Sequence, residues 1–490
     1  MSGHDLPANP SPPPSPRGAE RWRRFSARAA QAFATDGPPT AVMTLREIEE
    51  EADDRHSRAV VDLAGRVAAL ILTTGGSCAD ATAAGLQVCH RYGLASVHVD
   101  ATFASVIVSH HRGLERDANT VLRTASVRAP DYARLTELQR LLDRLPHLEI
   151  GEARSEFNQV LTGSRRYRRW VMTAAAAILG VGVAIVLGGG WAEIALACFT
   201  TAAVDLALHA TTRRGLPQFF GQITGAAIPT VVAVAVMALA KSGVDEVADI
   251  SPSIVVAAGI VALLAGLSVV NAAQDAIDGF LITAGARIFN VAVMTLGIVL
   301  GILVVLWGGD LLGLPAYLNP SAPVSANLLR TAVGAALIAL GFALGSHTRL
   351  SALAWSTGLG VLSWLAYVGA QGLGLGAGSA AGVAATVAAF AAQAVSARAR
   401  MASVGLITAG VVPLLPGSMV YRGLYGIVRA DSLFDGGPAL LELLGAGAVA
   451  IGIAMGVSLG TWVGRGTTGR RGQRSRFQRK ALHHAAVTED

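Results

Sequence analysis

WVMTAAAAILGVGVAIVLG, Trp170 to Gly188, is a run of nineteen residues without a charged side chain. As a helix it rises about 28 Å, close to the roughly 30 Å hydrocarbon core of a bilayer. A helix also satisfies its own backbone hydrogen bonds, which lipid cannot do. Arg165, Arg166, Arg168 and Arg169 stand just before it. The run reads as a transmembrane helix with a basic collar at one end.

Nine more apolar runs follow, at 192–210, 219–240, 254–270, 289–308, 328–345, 350–370, 377–396, 403–420 and 440–464. Only 21 Asp, Glu, Lys and Arg residues fall between Trp170 and Gly464, although that block is the larger part of the chain. Charge is thus concentrated in water-soluble flanks. Leu328, Leu350 and Ala377 follow Trp170, Ala192 and Phe219 by 158 residues each. Leu263-Leu264-Ala265-Gly266 matches Leu414-Leu415-Pro416-Gly417 at an offset of 151. The ten runs therefore read as two sets of five. Five is odd, so tandem copies enter the membrane from opposite sides, as in inverted-repeat transporters.

Arginines orient the bundle, because positive loops stay in the cytoplasm. Arg168, Arg169, Arg213, Arg214, Arg287, Arg349 and Arg398 all fall on one side of this arrangement. Both termini are then cytoplasmic and the protein is a multi-pass component of the inner, or cytoplasmic, membrane. The net charge of +6 lies mostly in the collars at 165–169 and 465–480. Their place beside membrane helices points to topology and lipid headgroups rather than nucleic acid.

Ahead of the membrane block, helices are expected at 44–72, 78–92, 131–145 and 150–161, and short strands within 95–109 and 120–127. The expected fold is a polytopic α-helical membrane protein. Ten transmembrane helices form two inverted five-helix repeats, preceded by a small cytoplasmic α+β domain. In residue terms, 1–43 is a disordered Pro/Arg-rich tail without a signal-peptide core, and 44–165 is the cytoplasmic domain. The repeats are 166–310 and 311–464, and 465–490 is a basic cytoplasmic tail. Cys78, Cys89 and Cys198 form no even disulfide framework. His90, His98, His110 and His111 fit no zinc spacing with the cysteines. Ser77 follows Gly75-Gly76 but no GxSxG elbow surrounds it, and no GxxxxGK[ST] phosphate loop occurs. Hydrolysis and ATP-driven pumping are disfavoured, and no metal or cofactor is expected.

Several segments carry a family resemblance: the soluble unit around 75–109, the helices at 135–161, Gly266-Leu-Ser-Val-Val-Asn-Ala-Ala-Gln-Asp-Ala-Ile-Asp-Gly279, and Val412-Pro-Leu-Leu-Pro-Gly-Ser-Met-Val-Tyr-Arg-Gly-Leu-Tyr425. The chain resembles the threonine/serine exporter family of bacterial inner-membrane proteins from about Ser57 to Gly464. The resemblance implies a cytoplasmic N-terminal domain, about ten membrane helices, and export of threonine and serine driven by the proton motive force. Related split systems imply dicarboxylates such as succinate as an alternative cargo. Where the family usually carries Pro-Gly in the first half, this chain has Ala265-Gly266.

Asn271, Gln274, Asp275 and Asp278 are spaced to form one polar stripe on a helix. At an offset of 151, the second half offers Arg422, Tyr425, Gly426 and Arg429, just after Pro416-Gly417. Carboxylates on one stripe and guanidiniums on the other suit the two charges of an amino acid. The two segments then read as broken or re-entrant helices converging on a transport path; the alternative is two solvated faces at opposite surfaces. Asp205, within the second run, is the clearest intramembrane acid, with His209 one turn on. Such an acid is costly in lipid, which suits a proton-coupling pair, although a structural bridge is the competing reading. Gln393 reads as an interhelical hydrogen-bonding residue, and Glu193 and Glu442 as span-end residues facing solvent. The partners this implies are a small amino acid, protons and the lipid bilayer, with a homo-oligomer left open. A membrane-bound sensor or enzyme using the soluble part is the reading from another class.

Overall fold

The computed structural model describes residues 45–112, 116–125, 130–163, 167–243, 249–260, 263, 266–314, 324–399, 403–429 and 437–467. The tail expected at 1–43, Arg165, Arg166, Ala265 and the basic segment from 468 onward lie outside these residues. The chain divides into two compact units, Met1–His56 and Ser57–Asp490. Of the first, the structure describes the opening turns of helix α1, Leu45–Thr73. Everything below concerns the second.

The elements before residue 167 come first. Helix α1 is followed by α2 (Cys78–Arg91), β1 (Val97–Ala101), β2 (Ser105–His110), β3 (Asn119–Thr124), α3 (Tyr132–Arg144) and α4 (Ile150–Thr162). The strands form an antiparallel sheet in the order β1-β2-β3, with Val99 opposite Val108 and Val108 opposite Val121. Alternation puts Val99, Ala101, Val106 and Val108 on one buried face. Gly65 and Gly85 bring α1 and α2 down onto that face, where added Cβ atoms would meet Val108 at 3.7 Å and Val99 at 3.1 Å. Ser77 caps α2 by accepting from the Asp80 N–H, and Asp131 caps α3 by accepting from Arg134. The same core extends to Phe280, Phe342 and Val404, which belong to apolar segments beyond residue 167.

Among the described residues, eight helices are long and apolar enough to cross a membrane. They are α5 (Arg169–Val186), α6 (Trp191–Arg213), α7 (Gln218–Lys241), α10 (Leu281–Leu311), α11 (Leu328–Gly345), α12 (Leu350–Gly372), α13 (Ala377–Ala399) and α16 (Gly437–Thr467). The chain is a polytopic helical membrane protein. The other two expected spans are broken. Residues 254–270 fall into α8 (Pro252–Ile260) and α9 (Gly266–Ile277). Residues 403–420 fall into α14 (Ser403–Val411), a 3₁₀ turn at Val412–Leu414 and α15 (Gly417–Arg429), with a bend of 47°. Pro413 and Pro416 account for the second break, since proline removes a backbone donor and clashes with the preceding turn.

Glycines set the helix packing. A Cβ at Gly182 on α5 would lie 2.8 Å from the Gly334 carbonyl oxygen on α11, and one at Gly334 would lie 2.8 Å from that of Gly182. Gly341 faces Ala175 and Leu179 in the same interface. Residue numbers rise on α11 as they fall on α5, so the two helices are antiparallel. Small residues permit such backbone contact where lipid gives no hydrophobic drive. In contrast, Gly297 and Gly301 of α10 meet Phe219 and Ala226 of α7, both pairs advancing together. Gly378 meets Ala448, and Gln393 meets Gly464, in the same sense between α13 and α16. Both of these pairs are parallel. Large exposed side chains cover the outside of the bundle, among them Trp191, Trp307 and Trp462.

Candidate functional site

The two breaks meet. A Cβ at Gly266, the first residue of α9, would lie 3.0 Å from the Leu415 Cβ and 3.3 Å from the Gly417 nitrogen. Gly417 is the first residue of α15. These are the residues of the duplicated sequence match, so its two copies touch in space. Glycine at 266 leaves room for the approach without a proline in the first half. Two helix N-termini converge here, each a positive dipole end, and the Met419 and Val420 N–H groups of α15 donate to the Pro416 carbonyl oxygen.

From this point the half-helices exchange partners. Val269 and Val270 of α9 join a core built from α12, α13, α14 and α16, with Trp364, Leu406, Val412 and Ile453. Tyr421 and Tyr425 of α15 join the core of α6, α7, α8 and α10, with Val204, Ile260, Leu263 and Ile302. Val269, Val270, Tyr421 and Tyr425 thus carry each half-helix into a core shared with the other half of the protein. The Tyr421 and Tyr425 rings lie 5.7 Å apart.

Asp275 is buried at 1% exposure and accepts from the Arg287 Nε at 2.6 Å. The turn Asp278-Gly279-Phe280 makes this possible by folding α9 back onto α10, and Gly279 takes a φ of 91° that suits glycine. Asn271 and Gln274 are half-buried on the same stripe, while Asp278 is exposed and has interactions of its own. In the second half, Arg422 Nη2 reaches the Glu442 Oε2 on α16 at 3.3 Å. The structure brings Gly266, Pro416 and Gly417 together but not Asp275 and Arg422. Asp275 is nine residues past Gly266 and Arg422 five past Gly417, about 13 and 7.5 Å along their axes. Each pairs within its own hairpin. Sequence reading treated Arg287 as an orientation signal and Glu442 as a surface acid. The missed clue was an opposite charge one hairpin later in each half.

Asp205 on α6 accepts from Arg169 Nη2 at 2.5 Å and from the Thr173 hydroxyl at 2.8 Å, both on α5. His209 is half-buried one turn on. Helix α12 adds groups that the sequence reading did not single out. Ser363 donates to the Gly410 carbonyl oxygen at 2.5 Å, at the end of α14, and a Cβ at Gly360 would approach Pro413. Ser356 Oγ and Trp364 Nε1 on the same helix are buried and have no hydrogen-bond partner. Buried donors of this kind usually find a partner, and these stand on the helix that flanks the second break. Gln393 Nε2 is likewise buried without a partner.

In the elements before residue 167, burial pushes the Cys78 thiol up to about 11 and the Cys89 thiol up to about 12. Neither is a thiolate at neutral pH. Among the described residues no group of three or more His, Cys, Asp or Glu converges as metal ligands do.

Together the apolar helices and the pair of crossed, broken segments define a multi-pass helical membrane protein. Residues 62–307 match one threonine/serine exporter family model, and residues 331–463 match a second, described as "Threonine/Serine exporter, ThrE". The chain belongs to the threonine/serine exporter family, a family of amino-acid exporters. It is 34% identical to a "Probable threonine/serine exporter" of Mycobacterium tuberculosis over 84% of this chain and 77% of that one. It is 30% identical to a "Threonine/serine exporter" of Corynebacterium glutamicum over 83% of this chain and 82% of that one. No solved structure matches it.

Proposed function

We propose that the protein exports threonine and serine from the cytoplasm by secondary active transport, with the meeting point of α9 and α15 as the substrate site. The observation that carries this reading is the contact of Gly266 with Leu415 and Gly417. Two positive helix ends at one point suit the carboxylate of an amino acid. The carbonyl end of α14 suits its ammonium group, and Ser356 and Trp364 are the donors for its remaining polar atoms. Asn271 and Gln274 line the path on the α9 side, and Tyr425 lines it on the α15 side.

The helix directions support ten crossings in two inverted halves. Because α7 and α10 are parallel, the α8–α9 segment between them must return the chain across the bundle. The same holds for α14–α15 between α13 and α16. With α5 and α11 antiparallel, the second half starts in the opposite sense to the first. Asp275–Arg287 and Arg422–Glu442 then lie on opposite sides of the crossing, as charge pairs able to close the path alternately. Arg168, Arg169, Arg213 and Arg214 support a cytoplasmic location for the elements before α5, by the positive-inside rule.

Proton coupling is assigned to Asp205, with His209 as its neighbour in the relay. Its pairing with Arg169 gives the ionised form a partner, and protonation would release that arginine. The test is counterflow of labelled threonine in proteoliposomes, challenged by unlabelled serine or succinate, with and without a pH gradient. Threonine counterflow blocked by serine, gradient-stimulated in the native protein and unstimulated in Asp205→Asn, is expected. Succinate counterflow in place of threonine would overturn the substrate, and gradient-stimulated transport in Asp205→Asn would overturn the coupling residue.

A further inference from the structure

The buried pair Asp275–Arg287 is also contacted by the soluble elements. Cys78, the first residue of α2, presents its backbone N–H to the Asp275 carboxylate, and its thiol reaches the side chains of Arg287 and Thr283. Phe103, in the turn between β1 and β2, lies under the Arg287 guanidinium, 5.3 Å from ring centroid to Cζ. Phe280, at the tip of the α9–α10 hairpin, packs against the soluble core. The helix N-terminus here is no empty anion site. Its first N–H, that of Cys78, is directed at a carboxylate that is already paired and 1% exposed.

The soluble elements grip the other broken segment as well. A Cβ at Gly405 on α14 would lie 2.9 Å from the Tyr132 Cβ. The Tyr132 N–H donates to the Ser346 carbonyl oxygen at 3.0 Å, and Glu137 pairs with Arg349 at 3.2 Å. The same module therefore touches the hairpin after α9 and the helix before the second break.

We infer that Arg287 and the amino end of α2 are positioning groups for the half-helix α9, which lock the path shut on the soluble side and must part from Asp275 once per transport cycle. The inference rests on the substrate site proposed above. The α9–α10 hairpin cannot swing away from α2 while the Cys78–Asp275–Arg287 junction is whole, because Asp275 would lose two donors at once in a buried place. Arg287 acts through Asp275 and does not touch the substrate.

The test joins α2 to α10 covalently. Thr283→Cys puts a second thiol beside Cys78, in a protein carrying Cys89→Ala and Cys198→Ser. Oxidation in proteoliposomes forms a disulfide, and a short bis-thiosulfonate bridges the pair if the direct bond is incomplete; peptide mass analysis counts the linked fraction. Threonine counterflow should fall in proportion to that fraction and return fully on reduction. Undiminished counterflow in linked protein overturns the inference. Absence of threonine counterflow in the reduced protein would instead strike the proposed function. As a second measurement, Arg287→Gln should change the maximal rate severalfold with the half-saturating threonine concentration unaltered, and Arg287→Lys should recover most of it. A purely structural role would lower the amount of folded protein and leave the rate per molecule alone.

Discussion

Asp275 and Arg287, twelve residues apart on the two arms of one helical hairpin, form a 2.6 Å ion pair with both side chains buried. The other half repeats the arrangement with the signs exchanged. There the half-helix carries Arg422 and the long helix carries Glu442. An acid-bearing half-helix leads away from the crossing on one side and a base-bearing one on the other. Both pairs arise from hairpins that follow a broken helix.

The buried pair sets the first prediction. Removing one partner strands a desolvated charge, which typically costs about 3–5 kcal/mol. Arg287→Met should therefore lower the thermal unfolding midpoint of purified protein markedly. Combining it with Asp275→Leu should restore much of the stability but not export. Equal midpoints for the native protein and Arg287→Met would contradict the burial of the pair.

Packing between α5 and α11 gives the second. Gly182 and Gly334 leave no room for a side chain against the opposing backbone. Overpacking costs about 1–3 kcal/mol, and backbone yields less than a side chain does. Gly182→Leu should reduce the folded, monodisperse fraction on size-exclusion chromatography, whereas Gly358→Ala, which meets nothing within 4 Å, should not.

The unpartnered donors on α12 give the third. Trp364→Phe keeps the ring and removes the N–H, and Ser356→Ala removes one hydroxyl. A hydrogen bond to a charged ligand group contributes about 1.5–3 kcal/mol. Each change should raise the half-saturating threonine concentration roughly tenfold, with folding intact. Unchanged saturation curves in both variants would remove these residues from the site.

The thiols supply a pH prediction. Cys89 has its folded value pushed up to about 12 from an ordinary 9.0, because burial disfavours the thiolate. The stability it contributes is complete below pH 9 and is lost as pH rises toward 12. Cys89→Ala should flatten the alkaline loss of stability in that window, by up to about 1.4 kcal/mol per pH unit. Maleimide labelling of native protein at pH 7.5 should spare Cys78 and Cys89 until the protein is denatured.

Much of the fold was legible because its signals are local. The helices expected at 78–92 and 131–145 stand as α2 and α3, and eight of the ten apolar runs are unbroken helices long enough to span among the described residues. The break after Ile260 was not marked in the same way. No proline stands there, and the approach of Leu415 and Gly417 to Gly266 comes from a segment some 150 residues away. The polar stripe from Asn271 to Asp278 was visible as a helical face, but its true neighbour was not. Asp275 meets Arg287 and Cys78 because a hairpin and the docked helix α2 bring them together, and neither follows from periodicity. The duplicated Leu-Leu-x-Gly match pointed to the right place for a reason that sequence alone could not supply: its copies lie against one another.

The contact at Gly266 is the direct test of the whole account. Gly266→Leu puts a branched side chain where Leu415 and the Gly417 backbone already lie, forcing the half-helices apart. Counterflow of labelled threonine should be abolished in folded, monodisperse Gly266→Leu protein, and Gly266→Ala should fall between that variant and the native protein. Native rates in folded Gly266→Leu protein would contradict a transport path through the crossing of α9 and α15.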